Sequence, residues 1–210
     1  MVDLNKLSEA LQRGDAEKVG ELVKEALEEK LTPKKILENG LIKGMDIIGG
    51  KFKRNEVYVP EVLIAARAMH AGMDILRPKL VETGVKNIGK VAIGTVKGDL
   101  HDIGKNLVKM MLEGGGFEVI DLGTDVSIDK FVEAVKVDQP DIVGMSALLT
   151  TTMIQMQEVV KAISNAGLRD KVKIMIGGAP ITQNYADQIG ADGYSPDAAS
   201  AVDNAKTFVA

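Results

Sequence analysis

The chain contains no cysteine. Disulfides, cysteine-ligated iron–sulfur clusters and thiol nucleophiles are therefore excluded from it. It has only two histidines, His70 and His101. A zinc site made by this chain alone would rest mostly on carboxylates, an unusual donor set. Zinc chemistry or one-electron reduction tied to this protein is therefore expected on a partner. Aromatic residues make up 3% of the chain. No block of Lys and Arg stands out, which argues against nucleic acid as a partner. The longest apolar runs are of strand length, too short to span a membrane. The opening stretch Met1-Val2-Asp3-Leu4-Asn5-Lys6 lacks the apolar core of a signal peptide. The expected compartment is the cytoplasm.

What is present is a core. Of 210 residues, 45% are hydrophobic and the net charge is −4, so wholesale disorder is excluded. The length admits one large domain or two small ones. The ten methionines fall mostly at apolar helix or strand positions and read as flexible core filler. Residues 1–88 carry only helical periodicity. Leu4, Leu7 and Leu11 form one stripe; Val19, Leu22, Val23, Ala26 and Leu27 form a second, capped by Asp15. Thr32-Pro33 opens a third helix, expected to end near Gly49-Gly50, and Val59-Pro60-Glu61 opens a fourth. Four amphipathic helices with short connections predict a small antiparallel bundle. Residues 81–89 read as the linker, and the second domain as 89–210.

From Lys90 the period changes. Strands are predicted at 90–96, 117–122, 141–146, 172–176 and 191–194, alternating with helices at about 103–113, 128–137, 151–166, 182–189 and 197–208. Five βα units predict an α/β fold: a doubly wound, five-stranded parallel sheet of flavodoxin-like (Rossmann-like) order 2-1-3-4-5.

In such a sheet, ligands bind beyond the carboxyl ends of the strands. The first strand is followed by Asp99-Leu100-His101-Asp102-Ile103-Gly104. A carboxylate on the far nitrogen of an imidazole fixes its tautomer and raises its basicity as a metal ligand. Taken alone, D-x-H-x-x-G is equally well a solvated loop with a packing glycine. The third strand is followed by Ser146-Ala147-Leu148-Leu149-Thr150-Thr151-Thr152, with four hydroxyls in seven residues, and the fourth by Gly177-Gly178. Hydroxyls are common helix caps, and glycine pairs are common turns. Together, at one end of one sheet, the three are harder to explain as structure alone.

That combination resembles the cobalamin-binding signature of corrinoid proteins, and the helical half looks like the cap of methionine synthase and of the corrinoid subunits of methyltransferase systems. The resemblance covers essentially the whole chain. It implies a cobalamin or related corrinoid, cycling between methylcob(III)alamin and cob(I)alamin and bound base-off/His-on, with His101 as the axial cobalt ligand. It makes Asp99 the partner of His101 and Thr152, where methionine synthase has serine, the end of a relay. Making and breaking the ligand bond would then be linked to proton uptake at the Asp99–His101 pair. Asp102, Ile103 and Gly104 complete the signature. Gly177, Gly178, Ser146, Leu148 and Thr150 would line a slot for the displaced nucleotide, with Tyr194 near its bottom. Tyr58 lies where methionine synthase has a phenylalanine over the methyl group, and Val62 or Leu63 follows on the next turn.

The implied function is that of a methyl carrier, not catalytic on its own. A substrate-specific methyltransferase methylates its cobalt(I). A second methyltransferase passes the methyl to tetrahydrofolate or a thiol, and a reductive activation protein restores the cofactor. Two other classes share parts of the pattern: a cobalamin-dependent sensor, which would need a DNA-binding module, and the small subunit of an adenosylcobalamin mutase, which usually lacks the helical half.

Overall fold

The computed structural model describes residues 2–210. The chain divides into two compact units. The first runs to Asn87 and takes in Gly114–Gly116; the second comprises Ile88–Glu113 and Phe117–Ala210.

The helical unit holds α1 (Leu4–Gln12), α2 (Ala16–Glu28), α3 (Pro33–Ile36), α4 (Lys43–Lys53) and α5 (Val59–Glu82). A π-helical turn, Leu37–Ile42, joins α3 to α4, so the predicted third helix is one rod with a π turn inside it. Side-chain caps start the helices where the sequence indicates. Asp3 accepts from Asn5 N–H, Asp15 from Lys18 N–H and Thr32 from Lys35 N–H. The third rod does not stop at Gly49-Gly50. Gly49 is buried and the helix continues to Lys53, because packing of this face outweighs the low helix propensity of glycine. Helix α5 likewise runs to Glu82, so the linker begins two residues later than the pattern suggests. Leu7, Leu11, Val19, Val23, Ile36, Leu41, Met45, Ile48, Met69 and Leu76 make the core. Gly72 lets α5 approach closely, since a Cβ there would sit 2.9 Å from both Leu41 and Val19 side-chain atoms.

The second unit contains β1 (Lys90–Val96), α6 (Ile103–Gly114), β2 (Glu118–Val126), α7 (Ile128–Val137), β3 (Ile142–Ser146), α8 (Thr150–Asn165), β4 (Lys173–Gly177), α9 (Gln183–Ile189), β5 (Gly193–Tyr194) and α10 (Ala198–Val209). The strands form one parallel sheet in the order β2-β1-β3-β4-β5, as the βα alternation predicts. Strand β1 is central and buried along nearly all its length, the pattern of a parallel strand covered on both faces. Phe131 of α7, fully buried, sits against one face with Met156 and Ile163 of α8.

Strand β2 is longer than the sequence suggests. It places nine residues beside the seven of β1, with register breaks on either side of Gly94. A Cβ on Gly94 would lie 3.0 Å from Phe131 and from Val126, which is why the irregularity falls there. The extra residues extend β2 past the predicted end at 122, through Gly123-Thr124-Asp125. Strand β5 is shorter than predicted, at two residues.

Candidate corrinoid site

Pairing across the sheet puts Thr95, Ser146 and Gly177 in one row at the carboxyl ends of β1, β3 and β4. The loops that leave this row carry the predicted residues. Between β1 and α6 the chain passes through Gly98, at φ +81°, and reaches Asp99 and His101.

Asp99 is fully buried. Its Oδ1 lies 2.7 Å from His101 Nδ1 and accepts the His101 backbone N–H at 3.1 Å. Its Oδ2 accepts the backbone N–H groups of Leu148 and Leu149, at 2.8 and 3.3 Å, and the Thr152 hydroxyl at 2.8 Å. Burial pushes the Asp99 carboxyl up. The N–H of Leu148, the His101 ring, the Thr152 hydroxyl and the N–H of His101 outweigh that and hold it well below the usual carboxylate range. An ionised carboxylate can only accept. The proton of the Asp99–His101 contact therefore belongs to Nδ1, and Nε2 is left with its lone pair outward. The His101 side chain is 52% exposed.

The surroundings of Nε2 suit a large, flat, largely apolar ring. Leu100 and Ile103 are 74% and 82% exposed, and Leu148 and Leu149 are also exposed. Four solvent-facing apolar side chains on the two loops joined through Asp99 mark a binding surface. Gly104 adds to this: a Cβ built on it meets nothing within 4 Å, so any side chain would stand in the space above the loop. Among the described residues no group of three or more His, Asp or Glu side chains could hold a metal ion. A metal already held in a macrocycle needs only the one axial nitrogen.

The remaining predicted residues fall into place unevenly. Asp102 precedes α6 and accepts from the Asn106 side chain. Thr150 begins α8 and is exposed. Gly177 ends β4, where a Cβ would lie 3.1 Å from the Ser195 carbonyl. Gly178 has φ +131°, and a Cβ on it would collide with the Ala147 backbone carbonyl. Its lack of a side chain is thus required by the chain itself. Tyr194 is half-buried, packed on the sheet core, with its carbonyl accepting from Asn204. In the helical unit Tyr58 is exposed at the start of α5. Val62 corrects the expectation: it is fully buried and presents no surface to a ligand, whereas the next residue, Leu63, is exposed. Spacing on α5 could not choose between the two.

Several residues of the site escaped the motif reading. Thr95, fully buried, donates to the His101 carbonyl at 2.9 Å. Lys105, also buried, donates to Asp121 Oδ1 at 2.6 Å and to Asn106. Asp125 Oδ1 accepts the Gly98 N–H at 2.7 Å. The signal for Asp125 was a Gly-Thr-Asp at the carboxyl end of the strand beside β1. It passed unread because β2 was taken to end before it.

Comparison with known proteins agrees with this geometry. Family models described as B12 binding domain match residues 3–77 and, separately, residues 89–203. The chain is 44% identical over 203 residues to the trimethylamine corrinoid protein of Methanosarcina barkeri, covering 96% of this chain and 94% of that one. It superposes with a TM-score of 0.84 on a cobalamin-binding protein from Desulfitobacterium hafniense DCB-2, at 34% identity and full coverage of both chains. It also superposes with a TM-score of 0.85 on a chain of the methanol:cobalamin methyltransferase complex MtaBC of Methanosarcina barkeri, at 29% identity, covering 97% of this chain and 78% of that one. These matches define a corrinoid-binding class of protein. The chain belongs to the B12-binding family of corrinoid proteins. No helix among the described residues is long and apolar enough to cross a membrane.

Proposed function

We propose that this protein is the methyl-carrying corrinoid subunit of a methyltransferase system, working in the cytoplasm. The observation that carries the reading is the Asp99–His101 pair, with Nδ1 tied at 2.7 Å to a buried carboxylate, on a loop that exposes Leu100 and Ile103 and leaves open space at Gly104. Bound there, a corrinoid supplies a cobalt centre able to take up and release a methyl group.

The chain's own residues have three tasks. His101 would hold the cobalt through Nε2, in place of the cofactor's nucleotide base. Asp99 holds the imidazole in the Nδ1–H tautomer and raises its donor strength. Thr152, Leu148 and Leu149 keep Asp99 ionised. Ser146, Leu148, Thr150, Gly177 and Gly178 border the space proposed for the displaced base. In the helical unit, the exposed Tyr58 and Leu63 are the residues proposed to touch the cofactor.

The proposed partners are a substrate-specific methyltransferase, a second methyltransferase that delivers to tetrahydrofolate or a thiol, and a reductive activation protein. The names of the Methanosarcina relatives make methylated amines and methanol the donor classes to test first.

The deciding experiment is a titration with hydroxocobalamin and methylcobalamin, followed by visible absorbance, on the wild type and on His101→Ala. Protein labelled with nitrogen-15 and reduced to cobalt(II) identifies the axial nitrogen by its electron paramagnetic resonance splitting. The expected result is a protein-derived nitrogen in the wild type and none in the variant. A wild type that retains no corrinoid, or whose axial nitrogen comes from the cofactor, overturns the reading.

A further inference from the structure

Asp125 makes two hydrogen bonds to the loop that carries His101. Its Oδ1 accepts the Gly98 N–H at 2.7 Å, and its own backbone N–H donates to the Asp99 carbonyl at 3.0 Å. Asp125 itself lies in the left-handed region, at φ +50°. Asp and Asn are the non-glycine residues that tolerate this conformation best. Gly98, its partner, is also left-handed, at φ +81°. The two strands thus meet through a matched pair of unusual backbone conformations, and the register breaks in β2 bring Asp125 to this point.

The rest of the loop is held from other sides. Thr95 holds the His101 carbonyl, and the Asp99 carboxylate is held by the start of α8. Among the described residues, Asp125 alone bonds both the Gly98 N–H and the Asp99 carbonyl. These two groups flank the Gly98–Asp99 segment. If they are released, the Gly98–Asp99 backbone keeps only the Asp99 N–H bond to the Val96 carbonyl, at 3.1 Å, and gains room to shift. The carboxylate then moves relative to the imidazole it must orient, and such supports have to be accurate to about half an ångström.

We infer that Asp125 is a positioning residue for the axial ligand: it latches the Gly98–Asp99 backbone and so sets the direction of His101 Nε2. This rests on His101 being the axial ligand, and the test separates the two claims. Asp125→Gly keeps the left-handed backbone and removes the acceptor. Asp125→Asn keeps both the acceptor and the conformation.

Two readouts are taken on the full-length chain. In the protein without cofactor, amide hydrogen exchange at Gly98 should speed up about 10-fold or more in Asp125→Gly, as expected for loss of a hydrogen bond to a charged acceptor. With hydroxocobalamin bound, the fraction showing a protein nitrogen on cobalt should fall in Asp125→Gly. Asp125→Asn should restore both. Gly98 exchange and cobalt ligation that stay at wild-type levels in Asp125→Gly would overturn the inference. So would an Asp125→Asn protein that behaves like Asp125→Gly. A His101→Ala protein with an unchanged cobalt spectrum would instead remove the axial-ligand reading on which the inference stands, while Gly98 exchange would still report on the latch.

Discussion

Thr152 and Asp99, 53 residues apart in the chain, meet in the interior, where the threonine hydroxyl donates at 2.8 Å to the carboxylate oxygen that His101 does not use. The two oxygens of Asp99 thus divide their work. One faces the His101 imidazole, and the other ties the loop after β1 to the start of α8. The Thr152 oxygen is also 2.9 Å from the Leu149 carbonyl, but a hydroxyl has one proton, and the ionised carboxylate is the stronger acceptor.

Thr152→Val should keep the shape of this site and lose the proton. The expected destabilisation is about 1.5–3 kcal/mol, the range for a hydrogen bond to a charged group. Thr152→Ser should recover most of it. Urea unfolding of the three proteins without cofactor gives the comparison. A valine variant as stable as wild type would mean that the Leu148 and Leu149 amides satisfy Oδ2 unaided.

Two glycines of the signature should respond in opposite ways. Gly178→Ala forces a left-handed backbone and drives a methyl into the Ala147 carbonyl, neither of which can yield, so the protein should lose more than about 3 kcal/mol or fail to accumulate. Gly104→Ala meets nothing and sits in the first turn of α6, where alanine favours the helix by up to about 1 kcal/mol. Its stability should hold or rise while corrinoid affinity falls at least about 10-fold, roughly 1.4 kcal/mol. Thermal melts with and without hydroxocobalamin separate the two effects. Unchanged cofactor affinity in Gly104→Ala would mean that no ligand approaches that turn.

Ile103→Ser tests the apolar rim. At 82% exposure the isoleucine adds little to folding, so stability should change by no more than about 0.5 kcal/mol. Corrinoid binding, measured by equilibrium dialysis, should weaken. Equal weakening of folding and binding would place the side chain in the core instead.

Asp121 links stability to acid pH. Burial pushes its carboxyl up, but Lys105, the Gly123 N–H and Lys109 bring it below its ordinary value. A lowered folded-state pKa means that the unfolded chain takes up the proton first as pH falls. The contribution of the carboxylate is therefore complete above the unfolded value of about 3.9 and is lost as pH drops from there through the folded value. The stability gap between wild type and Asp121→Asn should be full near neutrality and close progressively below about pH 4. Guanidinium unfolding across that range gives the profile. A gap independent of pH would assign the effect to packing.

Much of the site was legible because its parts are local or lie at strand ends. Asp99 and His101 are two residues apart, and a strand–loop–helix pattern places them at the mouth of the sheet. Thr152 could be reached by spacing once the third strand was recognised. Asp125 could not, because its role depends on two extra residues in β2, and each extra residue shifts the alternation by one, so the pattern breaks off before Asp125 is reached. Val62 and Leu63 were ambiguous for a different reason: adjacent helix positions differ by about 100°, and a long helix with a broad apolar face gives no sharp edge from which to count. Gly178 was legible as a necessary glycine, but its cause is a neighbouring carbonyl and a backbone angle, and no sequence pattern separates that from room for a ligand.

The π turn between α3 and α4 has a consequence for the phase of the whole rod. Its buried residues come in pairs, 36/37, 40/41, 44/45 and 48/49, a strict repeat of four. A regular α-helix turns every 3.6 residues, so each repeat of four would swing the buried face about 40° and three repeats about 120°. The accumulated mismatch is about one residue, which is what a single widened turn absorbs. The rod therefore keeps one straight seam where an ordinary helix would spiral away from its neighbours. Tightening Leu37–Ile42 to a regular α-helix with no residue removed would turn the second half, Met45 and Ile48 included, the wrong way, whereas deleting one residue there would give a regular helix that keeps its seam within about 20°.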